Sequence, residues 1–411
     1  MTADTPRRPL DGIRVLDVSR VVSGPVCCFY LASLGAEVIR IEPLGGDVSW
    51  LTPPWVAPDG AIAGSRTADT IGISALRKHR GKRSVVLDLT VERGVEVMHR
   101  LVRTADVLVE NFRPGIAAKH GVDYDTLRAI NPRLVQASIT GFGQDGPYRD
   151  RPSMDLVIQA MSGLMAKTGF EDGPPTKSGA TFGDQLPALF ATVGILAALR
   201  QRDIDGEGQW IDVAMLDSLV TALWDEPLDS YAERGVPERV GNSDPRGAPL
   251  DAYPTSDGWI AVVCTTDKHA AAMFDLIGRD DLVERGSNHA KRADLRDEIN
   301  DAVRAWTATR PTAEVEQAFL DRRIPCGPVE GAYSAGEHPQ VRHRGTLTEL
   351  RHPAADEPTH YLGPVLPVHL SRTEVSTTPA ETLGHSTEAV LRELAGCTDD
   401  ELADLRADGV I

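Results

Sequence analysis

Short apolar segments alternate with helix-like segments along the first 143 residues, and this alternation restricts the fold more than any other feature. Ile13–Ser19 and Glu37–Glu42 are predicted to be strands, and the segment between them is predicted to be a helix closed by Gly35. Three further strands are predicted at Lys82–Leu89, Asp106–Phe112 and Arg133–Gly143. Strands that alternate with helices form a mostly parallel sheet with helices on both faces.

The pattern changes after Trp224. A Gly- and Pro-rich segment over residues 233–249 is predicted to be a connection. A hairpin with Asp257–Gly258 at its turn follows, and a mixed helical region runs to about Leu320. Before this change, Leu51–Ile73 is a long loop that the sequence patterns leave unassigned. The new pattern indicates a second domain.

The chain has 411 residues, which is more than one ordinary hydrophobic core accommodates. The fold class is predicted to be α/β, with a large domain that holds a Rossmann-like parallel sheet and a smaller α+β domain. The predicted boundaries are 1–228 for the large domain, completed by 340–411, then 229–329 for the small domain and 330–339 for a connection.

Composition excludes several classes of function. The net charge of −17 argues against non-specific binding to nucleic acid or to an anionic membrane. Five cysteines are scattered without a C-x-x-C pair, so neither a disulfide framework nor a zinc site is indicated. The N-terminus lacks the apolar run of a signal peptide. No stretch is expected to reach the roughly 20 apolar residues of a membrane span, and the segment around Leu186–Leu199 is the nearest candidate. A soluble cytoplasmic protein is expected.

Asp184 opens an apolar stretch, GDQLPALFATVGILAALR, in which the next charge is Arg200. The helical spacing of its apolar residues predicts a core-facing helix. These residues are Leu186, Leu189, Phe190, Val193 and Leu196–Ala197. Asp184 has two interpretations. In the first, it is the N-cap of this helix. In the second, the helix end keeps the carboxylate ionised near neutral pH, and Gly179 and Gly183 leave room for a ligand to approach. Such a carboxylate could attack an acyl carbon.

Seven motifs occur in order along nearly the whole chain. They are PLDGIRVLDVSRVVSGPVCCFYLASLGAEVIRIEPLGGD, GKRSVVLDL, DVLVENFRPG, LVQASITGFGQDGPY, GDQLPALFATVGILAAL, RIPCGPV and LGHSTEAVLREL. With these motifs the chain resembles the class III coenzyme A transferases of the CaiB/BaiF type. That family includes formyl-CoA and carnitine CoA-transferases and, as a side branch, α-methylacyl-CoA racemase. The resemblance implies an interlocked homodimer with its sites between protomers.

The resemblance also implies a reaction. Asp184 would be the nucleophile that attacks an acyl-CoA thioester, passing through a mixed anhydride and an aspartyl-CoA thioester before a carboxylic acid acceptor receives CoA. Water must be excluded, because both intermediates hydrolyse when exposed. Coenzyme A would enter as an acyl-CoA substrate rather than as a tightly bound cofactor, and the expected partners are acyl-CoA, a small carboxylic acid and a second copy of the chain.

Candidate contacts to coenzyme A come from this resemblance and from the basic run RKHRGKR, which offers positive charge to the phosphates or is a solvated loop. The predicted CoA-binding residues are Val22, Ser23, Arg80, Lys82, Leu87, Asn111, Phe112, Arg113, Lys119 and His120. The predicted substrate and flap residues are Met154, Gly183, Gly241 and Arg246. Gly241 and Arg246 match the position of a glycine-rich flap in the family, and Arg246 is either an acid contact or an ordinary surface arginine.

Three alternative functions fit the sequence less well. A racemase of the same superfamily needs a second base, and Met154 stands where its histidine would be. The neighbouring Asp155 is expected to point elsewhere and to cap its own helix, LVIQAMSGLM. A Rossmann dehydrogenase lacks its G-x-G-x-x-G motif here. A non-catalytic CoA-binding protein is disfavoured by the Gly183–Asp184 pair. CoA transfer is therefore the preferred interpretation, with the donor and the acceptor acid left open.

Overall fold

The computed structural model describes residues 8–411. Its strands are short and form several sheets. In chain order they are β1 (Arg14–Asp17), β2 (Glu37–Glu42), β3 (Trp55–Val56), β4 (Ile62–Ala63), β5 (Ile71–Gly72), β6 (Lys82–Val86), β7 (Val107–Glu110), β8 (Val135–Thr140), β9 (Trp210–Ala214), β10 (Leu250–Pro254), β11 (Trp259–Val263), β12 (Cys326–Pro328), β13 (Leu347–Arg351) and β14 (Pro358–Pro364).

The helices range from single turns to 24 residues. In chain order they are α1 (Ser23–Ser33), α2 (Val48–Leu51), α3 (Ile73–Lys78), α4 (Glu92–Val102), α5 (Ile116–Lys119), α6 (Tyr124–Ile130), α7 (Asp155–Met161), α8 (Leu164–Lys167), α9 (Phe182–Asp205), α10 (Met215–Leu223), α11 (Leu228–Glu233), α12 (Asp267–Leu276), α13 (Asp280–Arg285), α14 (His289–Asp294), α15 (Arg296–Thr307), α16 (Thr312–Asp321), α17 (Pro339–His343), α18 (Thr387–Leu394) and α19 (Asp399–Ala407). A short 3-10 helix spans Ala335–Glu337.

A six-stranded sheet with the order β6-β2-β1-β7-β8-β9 forms the centre of the first part of the chain, and all neighbouring strands are parallel. The five strands predicted from the alternating pattern are β1, β2, β6, β7 and β8, so the prediction of a parallel sheet is confirmed. The order is that of doubly wound nucleotide-binding sheets. Because the direction of winding reverses between β1 and β7, a crevice opens at the carboxyl ends of these two strands.

The C-terminal segment returns to this sheet. Side chains of α4, α18 and α19 share one core cluster with the strands, including Met98, Leu391 and Leu402. Helix α19 begins with a side-chain cap, because Thr398 Oγ1 accepts the N–H of Glu401 at 3.2 Å. The packing of these apolar side chains explains why the last two helices belong to the same compact unit as the first strands.

Helix α9 presents a different face to the core from the one predicted. The predicted core stripe is exposed at Leu189, Phe190, Val193 and Leu196, with 63% of Val193 accessible. The buried face is made mainly of small residues: Gly183, Pro187, Ala188, Ala191, Thr192, Ile195, Ala198 and Leu199. Small side chains allow α9 to approach α1 and strands β8 and β9 closely. The prediction of a buried face is right, and the choice of face is wrong.

Among the described helices, α9 alone is long and apolar enough to cross a membrane by length and composition. Core helices of soluble proteins pass the same test. The contacts of α9 with α1 and with the central sheet are those of a core helix.

The segment Leu51–Ile73, which the sequence patterns left unassigned, contains regular secondary structure. It contains β3, β4 and β5, which form a small antiparallel sheet with β3 in the middle. Val56 and Ile71 from this sheet are buried with Trp50 and with Leu350 of β13, which pairs with β14 in a separate hairpin. Contacts distant in sequence therefore fold this segment, which is why no local pattern revealed it.

The chain divides into two compact units. The first contains the described residues up to Ser162, then Ala180–Ala222 and Pro339–Ile411, and the second contains Gly163–Gly179 and Leu223–His338. The second unit differs from the predicted small domain, because it includes the segment from Gly163 to Gly179, which the sequence division assigned to the large domain.

The second unit is an α+β structure around the antiparallel sheet β10-β11-β12. Its predicted hairpin is present, and the N–H of Thr255 donates to the carbonyl of Gly258 across the turn at 2.9 Å. Tyr253, Phe274 and Phe319 are among its fully buried side chains. The core of this unit is therefore separate from the core of the first.

Candidate active site

A cavity of about 530 Å³ lies at the carboxyl edge of the central sheet. Its wall is built from the turn between β1 and α1, the loop after β7, the end of β8 with the loop leading to α7, and the first turn of α9. This is the position where the winding of the sheet reverses. Open α/β sheets bind their ligands at this position, since the loops on either side diverge and leave a crevice.

The turn between β1 and α1 contains a strained residue. Val21 has a φ of 66°, in the left-handed region that β-branched residues avoid. Its N–H donates to Asp47 Oδ2 at 3.1 Å, and its carbonyl accepts from Lys78 Nζ at 2.8 Å. Asn111 holds the adjoining Arg20 by accepting its N–H and donating to its carbonyl, both at 2.7 Å. These bonds fix the backbone of one cavity wall.

Asp184 is the third residue of α9, and it lines the cavity. The N-cap position belongs to Thr181, so the interpretation of Asp184 as the helix cap is wrong. Within residues 8–411 the carboxylate of Asp184 accepts no hydrogen bond. The other interpretation open from sequence, in which the carboxylate is available for chemistry, stays a prediction.

Asp155, the first residue of α7, accepts a hydrogen bond from the first turn of α9. Its Oδ1 accepts the N–H of Gly183 at 2.8 Å, and its Oδ2 accepts from Gln159 Nε2 at 2.9 Å. The prediction that Asp155 caps its own helix is wrong, because Met154 holds that N-cap position and Asp155 bonds to α9 instead. Asp155 also lines the cavity rather than pointing elsewhere. It therefore brings a second carboxylate next to Asp184.

Burial raises the pKa of the Asp184 carboxyl to about 6, the charge of Asp155 adds to this rise, and Lys78 opposes it. Burial also lowers the pKa of Lys78 to about 8. The carboxyl of Asp184 is therefore mostly ionised at pH 7, as expected, although its surroundings weaken rather than strengthen that ionisation. A poorly solvated carboxylate is the more reactive nucleophile.

Six of the predicted contact residues line the cavity together with Asp184. They are Val22, Ser23, Asn111, Phe112, Arg113 and Met154. They come from three separate loops, so only the folded sheet brings them together. Gly183 is buried beside them and contributes its N–H to Asp155.

Arg80, Lys82 and Leu87 are buried and lie outside the wall of this cavity. Lys82 Nζ forms an ion pair with Asp17 Oδ2 at 2.8 Å. The guanidinium of Arg80 lies 4.8 Å from the centroid of the Phe29 ring. Both cations are thus engaged inside the protein. From the same basic run, Lys78 Nζ donates to the carbonyl of Val21 in the cavity wall at 2.8 Å and lowers the pKa of Asp184.

A buried ion-pair network lies next to the same turn. The guanidinium of Arg40 contacts Asp17, Glu42 and Asp47 at 3.0, 3.2 and 2.7 Å. Glu42, Asp47 and His79 are the one group of described residues whose donor atoms lie close enough to hold a metal ion. Because both carboxylates already pair with Arg40, the network needs no metal to balance their charge.

The remaining predicted contacts lie outside the cavity wall. The His120 ring lies 5.6 Å from the ring of the wall residue Phe112, and Lys119 is exposed at the end of α5. In the second unit, Gly241 has a φ of 65°, and Arg246 pairs with Asp244 at 2.6 Å.

Sequence reasoning missed three arginines of the cavity wall, Arg20, Arg149 and Arg151, and the role of Lys78 beside Asp184. A signal for the arginines was available. Each belongs to a loop that follows the carboxyl end of a parallel strand, where α/β sheets place their ligand contacts. The contribution of Lys78 depends on a contact between distant segments and has no local signal.

A doubly wound parallel sheet with a cavity at its switch point and an unbonded carboxylate in that cavity is the arrangement typical of an α/β enzyme. The chain belongs to CoA-transferase family III, whose family model matches residues 10–387. It is a class III CoA-transferase, as the motifs predicted.

Three curated relatives illustrate the range of this family. The chain is 39% identical to the succinyl-CoA:mesaconate CoA-transferase of Haloarcula hispanica, over 85% of this chain and 87% of the relative. It is 36% identical to the succinate–glutarate CoA-transferase of Agrobacterium fabrum, over 95% and 97%. It is 34% identical to the formyl-CoA:oxalate CoA-transferase of Streptomyces avermitilis, over 98% and 100%. All three names favour transfer over the racemase alternative.

Solved structures show the same architecture. A CaiB/BaiF family protein from Brucella suis has a TM-score of 0.81 and 31% identity, over 95% of this chain and all of that one. A protein from Mycobacterium tuberculosis has a TM-score of 0.80 and 29% identity, over 93% and 99%. The central parallel sheet with its smaller antiparallel sheets is therefore a property of the family.

Proposed function

We propose that this protein moves coenzyme A from an acyl-CoA thioester to a small carboxylic acid, with Asp184 as the covalent nucleophile. The observation that carries the proposal is the carboxylate of Asp184, which lines a cavity of about 530 Å³ and has no hydrogen bond from the described part of the chain. Burial leaves this anion poorly solvated while its pKa of about 6 keeps it mostly ionised at pH 7. Such a carboxylate is suited to attack a thioester.

The proposed exchange proceeds in two symmetrical halves. A carboxylate oxygen of Asp184 attacks the thioester carbonyl, the C–S bond breaks, and CoA leaves as a thiolate while a mixed anhydride forms. The thiolate attacks the aspartyl carbonyl carbon, the bond from this carbon to the bridging oxygen of the anhydride breaks, and the donor acid leaves as a carboxylate. The acceptor carboxylate then displaces the thiolate from the aspartyl thioester, and the thiolate takes the acceptor acyl group and regenerates Asp184. No proton is gained or lost overall.

Coenzyme A is proposed to lie along the wall between the β1–α1 turn and the loop after β7. Val22, Ser23 and Phe112 supply surface there, and Asn111 holds the turn through its two bonds to Arg20. The adjacent guanidinium of Arg113 is exposed and suited to phosphate oxygens. The negative net charge of the chain makes such a local cation necessary for a polyphosphate ligand.

We also propose that the protein acts as a homodimer in the cytoplasm. An uncovered apolar stripe along α9 supports the dimer, because a contiguous exposed apolar surface marks an interaction site. Its residues are Phe182, Leu189, Phe190, Val193, Leu196 and Ile204. The five cysteines are free thiols, which fits a reducing compartment.

Covalent trapping tests the proposal. With succinyl-CoA as donor, we expect hydroxylamine to convert Asp184 into a hydroxamate that peptide mass spectrometry locates. The variant Asp184→Asn should lose exchange of labelled succinate into succinyl-CoA by roughly 10³-fold or more, since it lacks the nucleophile. Asp203→Asn is the matched control, because Asp203 is an exposed aspartate on the same helix. Undiminished exchange by Asp184→Asn, or a hydroxamate on another residue, would contradict the proposal.

A further inference from the structure

The wall of the active-site cavity has a charge opposite to that of the whole protein. The net charge of the chain is −17, yet the cavity wall carries more arginines than acidic residues. The arginines are Arg20, Arg113, Arg149 and Arg151, and the acids are Asp155 and Asp184. An excess of positive charge in a crevice of an acidic protein favours an anionic ligand.

Two of these four arginines already have partners. Arg20 Nη1 donates to the carbonyls of Val18 and Ser19 at 2.8 and 2.9 Å, so its charge is committed to the backbone. Arg149 Nε lies 3.5 Å from a carboxylate oxygen of Asp150. Arg113 and Arg151 form no ion pair with any residue in the range 8–411. These two cations are the ones available to a ligand.

Arg151 is held in place without being neutralised. Its guanidinium lies 5.2 Å from the centroid of the Tyr148 ring, which in turn meets the Phe142 ring edge-on at 5.8 Å. The N–H of Arg151 donates to the carbonyl of Tyr148 at 2.9 Å, which closes the turn between them. Stacking on an aromatic ring positions a guanidinium while leaving its N–H groups free for a carboxylate.

The loop that contains Arg151 is tied to the reacting carboxylate. Ser153, two residues further on, packs so closely on Gly141 that a side chain at position 141 would collide with its hydroxyl. Asp155, four residues after Arg151, bonds to the N–H of Gly183 next to Asp184. Arg113 belongs to a different loop, beside the predicted coenzyme A contacts. The two free cations therefore belong to different parts of the wall.

We propose that Arg151 binds the distal carboxylate of a dicarboxylic acid whose other carboxyl group is activated at Asp184. This inference rests on the proposed function. A guanidinium offers two parallel N–H groups to a carboxylate, so Arg151 would recognise the second acid group of both the leaving and the entering substrate. Arg113 would serve the phosphates of coenzyme A. The enzyme is then selective for diacids over monoacids of the same length.

The test compares succinate with its monomethyl ester as acceptors, since the two differ at the distal group. Wild-type enzyme should prefer succinate. Arg151→Gln should lower kcat/KM for succinate by roughly 10- to 100-fold, the range of a lost charge-assisted hydrogen bond. It should change kcat/KM for the ester by no more than about 3-fold. Arg151→Lys should restore part of the preference. The control is Arg128→Gln, which removes an exposed arginine of α6 that faces Glu207 at 3.5 Å.

The same experiment separates the two proposals. If Arg151→Gln slows both acceptors equally, or neither, while Asp184→Asn is inactive, the inference fails and the proposed function stands. If the wild-type enzyme transfers CoA to neither acid and forms no adduct at Asp184, both fail. Arg113→Gln provides a further contrast, because it should raise KM for the CoA thioester without changing the preference between the two acceptors.

Discussion

At the scale of single residues, the reactivity of Asp184 depends on the few groups around one carboxylate. Burial raises its pKa to about 6, the carboxylate of Asp155 adds to the rise, and Lys78 lowers it. None of these effects is visible at position 184 in the sequence. The proposed nucleophile Asp184 must be ionised to attack, so exchange activity should fall as the pH drops through about 6.

The fall in activity at acidic pH has a midpoint that depends on the two neighbouring charges, and removing one or the other should shift this midpoint in opposite directions. Asp155→Asn removes a like charge and should shift the midpoint to lower pH, whereas Lys78→Met removes an opposite charge and should shift it to higher pH. The measurement is kcat/KM for labelled succinate exchange between pH 4.5 and 8. The two variants control for each other, since a loss of structure would lower the rate without moving the midpoint. If the wild type and both variants have the same midpoint, the fall in activity at acidic pH is due to the titration of another group.

At the scale of elements, the contact between α7 and α9 determines where Asp184, the proposed nucleophile, lies. Gly183 is buried at this contact, and its N–H bonds to the carboxylate of Asp155 at 2.8 Å. A Cβ added at Gly183 would lie 2.8 Å from that carboxylate oxygen and 3.2 Å from the Cα of the same residue. Only glycine lets the two helices approach this closely.

Gly183→Ala should therefore push the two helices apart at the active site. We expect a loss of about 1 to 3 kcal/mol in the free energy of unfolding, typical of an overpacked contact, and a fall of at least tenfold in exchange activity. Urea denaturation and the succinate exchange assay measure these two effects. Gly45→Ala is the control, because a Cβ at Gly45 meets no atom within 4 Å. Wild-type activity in Gly183→Ala would show that the close contact does not position Asp184.

The elements also show where sequence patterns succeed. The strands β1, β2, β6, β7 and β8 were predictable because each is a short apolar run between turn residues, and that pattern is local. The burial of α9 was predictable, but its orientation was not, since the helix is apolar on both sides. The small antiparallel sheet within Leu51–Ile73 has two-residue strands that carry no periodicity of their own.

At the scale of the whole molecule, the exposed stripe of α9 is the feature that one chain does not explain. Val193 is 63% accessible and Ile204 is 65% accessible, on the same side of the helix. A second copy of the chain would cover this stripe in the proposed homodimer. Folding and activity would then depend on protein concentration.

Val193→Asp should weaken the proposed dimer, because it places a charge in the proposed interface. Light scattering after size exclusion should show a dimer for the wild type and monomers or irregular aggregates for the variant, with activity falling in parallel. The control is Val283→Asp, which charges a 40% exposed valine on α13, outside the stripe. The prediction would be contradicted if the Val193→Asp protein remained a dimer at all concentrations, or if the wild type were monomeric.

The sequence by itself determined the parallel sheet, the family and the identity of Asp184 as the candidate nucleophile, because these depend on local apolar patterns and on motifs in a readable order. Only the tertiary structure decided which charges surround that carboxylate. It excluded Arg80 and Lys82 from the cavity by burying them, and it brought Asp155, Lys78 and Arg151 to the site from distant segments. The reason is physical: a charge affects another through distance and solvent exposure, and neither quantity exists until the chain has folded.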